Sequence, residues 1–177
     1  MKMRGMCRAA FATALLAASA VLPKSAGAQD LLSAHIGVAT PIVTYTGSNG
    51  TSNTTTIGNN FNILFPFGVG VKPQNSPVVF DFEFVPEVNP STRSDTLLVH
   101  PGVILPLEDG WAVGTRAAFE INQNSVGFTP LVNKSFPFPS SKIRWFVEAD
   151  VPVRFLRQSN GADATSVGFV LHTGLAF

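Results

Sequence analysis

The sequence predicts an all-β chain, an eight-stranded antiparallel up-and-down barrel that spans a membrane. Three observations lead there. Eight stretches alternate large apolar residues with small or polar ones at period 2, the repeat of a strand whose two faces meet different surroundings, and turn residues separate them. Charged residues make up only 13% of the chain, against about a quarter in an ordinary soluble domain. No window past the N-terminal stretch is apolar for the length a spanning helix needs, and closed barrels are the other way to satisfy a backbone in lipid.

The front end reads as a separate unit. Lys2, Arg4 and Arg8 form a basic start, Ala9 to Leu22 is uncharged and apolar, and Ala26-Gly27-Ala28 is a small-x-small cleavage site. These are the parts of a secretory signal peptide, residues 1–28, which leaves residues 29–177 as one barrel domain. Cys7 is the only cysteine and falls in the removed segment, so the domain has no disulfide and no cysteine-ligated metal. Four of the twelve basic residues also leave with it. Eight bases then face eleven acids, a net charge of −3, and nothing in that balance suggests a nucleic-acid partner, which would want a basic patch.

The first predicted strand runs from Leu31 to Thr44, with Leu32, Ala34, Ile36, Val38 and Ile42 on one face. Gly47 to Thr56 is polar and aperiodic, a loop. The second strand is Ile57 to Val71, with Phe61, Ile63, Phe65, Phe67 and Val69 facing one way and Asn60, Asn62, Gly68 and Gly70 the other. The third, Val78 to Val85, sets Phe80, Phe82 and Phe84 against Asp81 and Glu83; the fourth, Thr96 to Leu105, sets Leu97, Val99, Val103 and Leu105 against His100 and Gly102.

Asp109-Gly110 is a tight-turn signal. The fifth strand follows, Trp111 to Asn122, with Arg116 and Glu120 on its polar face. The sixth is Ser125 to Phe136, and the seventh, Lys142 to Leu156, places Trp145, Val147, Val151 and Phe155 opposite Arg144, Glu148, Asp150 and Arg154. The eighth is Thr165 to Phe177, with Val167, Phe169, Leu171, Leu175 and Phe177 on one face. Pro66, Pro101, Pro130 and Pro152 fall inside these strands; each lacks a ladder donor, so each marks a bulge, kink or strand end.

Aromatic spacing supplies a second ruler. Trp111 and Phe119, Phe128 and Phe136, and Phe169 and Phe177 are each eight residues apart on one face. Eight tilted strand residues rise roughly 20 Å, close to the roughly 25 Å apolar band of a membrane barrel. The less apolar face holds mostly Gly, Ala, Ser, Asn and Thr with a few charges. That suits a narrow lumen and makes a poor solvated surface, so the apolar face turns outward. A soluble lipocalin-like binding barrel, with its apolar face inside, is the alternative.

The closing strand ends on an aromatic in the apolar row. It resembles the terminal strand of bacterial outer-membrane β-barrels, in which a final lipid-side Phe is read by the barrel-assembly machinery. With the signal peptide, the chain is similar to the small eight-stranded OmpA, OmpX and OmpW types. The resemblance implies an outer-membrane location in a Gram-negative-type cell envelope, membrane lipid as surroundings, and recognition by the assembly machinery through Phe177, Leu175 and Phe169. It brings no family motif beyond these and fits a monomer.

The lumen face collects Asp81, Glu83, Arg116, Glu120, Arg144, Glu148, Asp150 and Arg154, with His35, His100 and His172. Buried charges need partners, and Arg pairs well with carboxylates, so the expectation is a polar network that closes the lumen. A gated, porin-like path for small solutes is the alternative. A lipid A-modifying enzyme ranks lower, because the lipid-facing mid-strand positions hold neither His nor carboxylate to build a triad. No P-loop, G-x-S-x-G or H-E-x-x-H pattern occurs, the three histidines lack ligand spacing, and no cofactor or catalytic residue is expected.

Overall fold

The computed structural model describes residues 31–89, 94–121, 123–157 and 163–177. The expected signal peptide, residues 1–28 with Cys7, lies outside them. In place of eight unbroken strands, eleven segments form among the described residues. They are β1 (Leu32–Ser48), β2 (Thr51–Thr56), β3 (Ile63–Leu64), β4 (Phe67–Val71), β5 (Val79–Asn89), β6 (Ser94–Pro106), β7 (Trp111–Glu120), β8 (Ser125–Pro137), β9 (Arg144–Asp150), β10 (Val153–Arg157) and β11 (Asp163–Ala176).

The eleven segments make eight antiparallel passes. β2, β3 and β4 all pair with β1, and β9 and β10 both pair with β8 and β11. β1 and β11 pair from His35↔Ala176 to Gly47↔Thr165, which joins the first pass to the last and closes the ring. Closure removes the sheet edges that an open sheet would present to lipid.

Prolines explain most of the breaks. Pro66, fully buried, separates β3 from β4, and Pro152 separates β9 from β10. Neither can donate to the ladder, yet both still accept: Gly37 N–H donates to Pro66 O at 2.8 Å and Gly168 N–H to Pro152 O at 2.9 Å. Register is the same on both sides of each gap. Pro101 and Pro130 stay inside β6 and β8, although the β6–β7 ladder skips Pro101 and resumes at Gly102↔Arg116. A fifth proline does more: the β1–β11 register shifts between Pro41 and Val43. Val43 and Tyr45 therefore take the outward positions, and Ile42 does not continue the exposed row.

Two expectations fail at one end of the barrel. Gly47 to Thr56 is not a loop; it is the end of β1 paired with β2, from Val43↔Thr56 to Ser48↔Thr51. Asn49-Gly50 turns it, at φ 47° and 79°, the positive pair of a type I′ hairpin. Conversely, residues 57–62 leave the ladder between β2 and β3. Asn59 N–H donates to Thr56 O at 3.0 Å and Asn59 Oδ1 accepts from Thr56 N–H at 2.7 Å, a local turn that replaces strand pairing.

The two faces sort inside out. On β5, Phe82 is 48% exposed while its neighbours Asp81 and Glu83 are 4% and 3% exposed. The same holds around the ring: Val69, Val103, Phe128, Val132, Trp145 and Leu171 are exposed, and His100, Arg116, Thr129, Glu148, Asp150 and His172 are buried. A soluble barrel would show the reverse, so the lipocalin-like alternative is excluded, and the chain has the build of a transmembrane β-barrel. Around Trp111 the outer wall becomes amphipathic. Lys134 Nζ lies 5.0 Å from the Trp111 ring centre, Phe136 stacks on Trp145 at 5.0 Å, and Trp145 Nε1–H donates to Thr173 Oγ1 at 2.8 Å. Aromatic bodies with polar tips belong at a bilayer interface.

Candidate functional site

The lumen is crossed by a layer of charge centred on Arg116 of β7. Three glycines on neighbouring strands make room for it. A Cβ at Gly102, opposite Arg116, would lie 2.6 Å from Arg116 Cγ; at Gly68, 2.6 Å from His35 Cε1; at Gly37, 2.6 Å from His172 Nε2. These interior positions leave the large side chains the space to reach the barrel axis.

Arg116 Nε–H donates to Asp81 Oδ2 and Nη1–H to Glu148 Oε1, both at 2.7 Å. Its Nη2 stands 3.7 Å from Glu83 Oε1, and Nη1 3.9 Å from Asp150 Oδ1. Charge-assisted bonds of this length are the strong kind, and the guanidinium fork meets several carboxylates at once. Glu83 is hydrogen-bonded to His35 Nε2 and His100 Nδ1, each at 3.2 Å. Glu148 is bonded to His172 Nδ1 at 3.2 Å and accepts from Asn133 Nδ2–H at 3.1 Å. Phe146 stands edge-on to the His172 ring at 4.9 Å and to the His35 ring at 6.2 Å.

Arg154 forms a second node. Its Nη1 donates to Thr129 Oγ1 at 3.0 Å, Phe128 O at 3.2 Å and Val153 O at 3.1 Å, and its Nη2 lies 3.2 Å from His100 Nε2. Glu120 Oε1 is 3.9 Å from Arg154 Nε. The structure therefore gathers Asp81, Glu83, Arg116, Glu120, Glu148, Asp150 and Arg154 into one connected system. Arg144 is the exception: it shares their face, but the register puts it at the barrel mouth, where it is exposed.

Residues that the sequence reading passed over also belong here. Glu87, beyond the expected end of the third strand, accepts from Asn62 Nδ2–H at 2.7 Å. Thr129 and Asn133 supply neutral partners. The glycines were the available signal, since a lumen-side Gly in register with a charged residue reserves space for it. Glu83, Glu148 and His172 each bring a ligand atom within 4.8 Å of the others, a convergence the scattered histidines did not reveal. Arg116 supplies the positive charge at that point.

Two cavities flank the layer. One, of about 440 Å³, lies at the end where β1 starts and β11 finishes, the termini end of the barrel, and is lined by Ser33, Asp81, Trp111, Asn133, Glu148 and Ala176 among others. The other, of about 230 Å³, lies at the hairpin end and includes Thr55, Asn62, Glu87, Glu120, Asp150 and Arg154. Arg116 and His172 line both.

No family model and no curated protein matches the chain. Among solved structures, Neisserial surface protein A is similar, with 12% identity over 80% of this chain and 95% of that one, at a TM-score of 0.44. A de novo designed transmembrane β-barrel is similar over 80% and 94%, with 15% identity and a TM-score of 0.40. At such scores these likenesses add nothing to what the barrel's own geometry establishes.

Proposed function

We propose that the chain is an outer-membrane barrel with a structural or surface-interaction role, its lumen closed by the Arg116 layer. The observation that carries this reading is the position of Arg116: one guanidinium, hydrogen-bonded to Asp81 on β5 and Glu148 on β9, lines both cavities. The start of β1 and the end of β11 then lie on the periplasmic side, the hairpins face outward, and the barrel works as a monomer. The outward row Phe169, Leu175 and Phe177 is the surface offered to the assembly machinery. Nothing in this arrangement calls for an enzyme.

A second reading has its own support. Only one layer separates the cavities, so a rearrangement of Arg116 between its carboxylates would join them into a narrow path for small solutes. Ion conductance of the refolded protein in a planar lipid bilayer decides between them. The closed reading expects a folded, inserted and silent barrel. Reproducible current steps, altered by Glu148→Gln, would replace it with the channel.

A further inference from the structure

The two cavities differ in how their charges are met. At the termini end, Asp81 and Glu148 both accept directly from Arg116. At the hairpin end, Glu83, Glu87, Glu120 and Asp150 face the cavity with Arg116 and Arg154. Arg116 directs its close hydrogen bonds to Asp81 and Glu148, and Glu83 is occupied by two histidines. Arg154 gives its short bonds to Thr129 and two backbone carbonyls. Glu87 is left with neutral Asn62, Glu120 with Arg154 at 3.9 Å, and Asp150 lies against the Glu148 carboxylate with Arg116 no nearer than 3.9 Å.

Two buried acceptors point the same way. Asp150 Oδ1 and Asn62 Oδ1 have no hydrogen-bond partner, and both residues line this cavity. The Asp150 side chain is 10% exposed, and its Oδ1 comes no nearer than 3.9 Å to Arg116. Buried acceptors without donors are costly, and a carboxylate most of all. The wall asks for N–H donors that bring positive charge.

We propose that the hairpin-end cavity binds a small organic cation of the alkylamine or guanidine class, held by Asp150, Glu87, Glu120 and Asn62. The spread of the acceptors selects this class over a bare divalent ion. Among the described residues, Glu83, Glu148 and His172 are the group whose ligand atoms converge within 4.8 Å, and it lies in the layer already served by Arg116. An ammonium carries three donors and a guanidinium five, which reach separated acceptors in a cavity of about 230 Å³.

The test is calorimetric titration of 1,4-diaminobutane into the refolded full chain in zwitterionic micelles at fixed ionic strength, with calcium chloride as comparator. Saturable diamine binding is expected, weakened about tenfold or more by Asp150→Asn and unchanged by Ser135→Ala in the other cavity. Absent saturation, or equal affinity in Asp150→Asn, overturns the proposal. Calcium that saturates at lower concentration and displaces the diamine overturns the choice of class. Should Asp150→Asn fail to reach the folded, heat-modifiable gel form, Glu87→Gln takes its place, and unchanged affinity there is equally fatal. The outcome does not depend on whether the barrel conducts.

Discussion

The two ends of the barrel are built differently. At the termini end the ladders run without a break: β1 pairs with β4 and β11, β4 with β5, and β8 with β9 in continuous register. At the hairpin end and toward mid-barrel, β3 is two residues long and gives β1 a single pair, Ala39↔Leu64. The Pro41 register shift and the gaps at Pro66 and Pro152 fall there too, and all three prolines line the same cavity. The interrupted wall and the unmet carboxylates thus coincide. The closest ion pairs lie toward the end where β1 begins and β11 finishes; the proline gaps and the acceptors without donors lie toward the hairpins.

The largest effect should come from the layer where the ends meet. Arg116→Ala takes from buried Asp81 and Glu148 the guanidinium that both accept from, which costs about 3–5 kcal/mol. Urea titration followed by heat-modifiable gel migration reads it, and a loss below 1 kcal/mol would mean that the layer does not hold the barrel together. Hydrogen exchange tests the contrast itself. Amides of β3 should open at a free energy on the order of 2 kcal/mol below those of β5 and β6, because three pairs, Ala39↔Leu64, Ile63↔Val88 and Leu64↔Glu87, are all that anchor it. Uniform protection would erase the difference between the ends.

The smallest and sharpest comparison uses two turn glycines at nearly the same φ, 77° at Gly110 and 79° at Gly50. A Cβ at Gly50 meets nothing within 4 Å, whereas one at Gly110 would lie 2.6 Å from Ser135 O. Gly50→Ala should cost about 1 kcal/mol, the backbone strain alone. Gly110→Ala should cost about 1–3 kcal/mol more, through the clash with β8. Equal losses in melting would show the termini end to be no tighter than the hairpins.

Much of this was readable before any coordinates, and the reason is physical. An inside-out barrel puts lipid on one face and charge on the other, so period 2 is at its plainest. Asp81, Glu83, Glu148 and Asp150 declared their side by parity. Depth along a strand is harder, because it is set by pairing register. Arg116 and Arg144 share a face, yet one lies at the centre of the layer and the other at the mouth. The Gly47–Thr56 hairpin was hidden because both its faces are polar, which leaves alternation nothing to mark. Asn49-Gly50 was the surviving signal. Glu87 was lost because the third strand was expected to end at Val85, two residues short of it. Pro41 escaped notice because the alternation before it was regular.

The Arg116 layer also bears on how such a wall enters a bilayer. Its members sit on β1, β5, β6, β7, β9, β10 and β11, and Arg116 is 35 residues from Asp81 and 32 from Glu148. Both short pairs of Arg116 therefore join strands of different hairpins, β7 with β5 and β7 with β9. A strand crossing alone would take bare charge into hydrocarbon, at several kcal/mol for each group. The order of events therefore follows from the chemistry of the interior: the charges must find one another, and the sheet must curl around them, as the passes go in together.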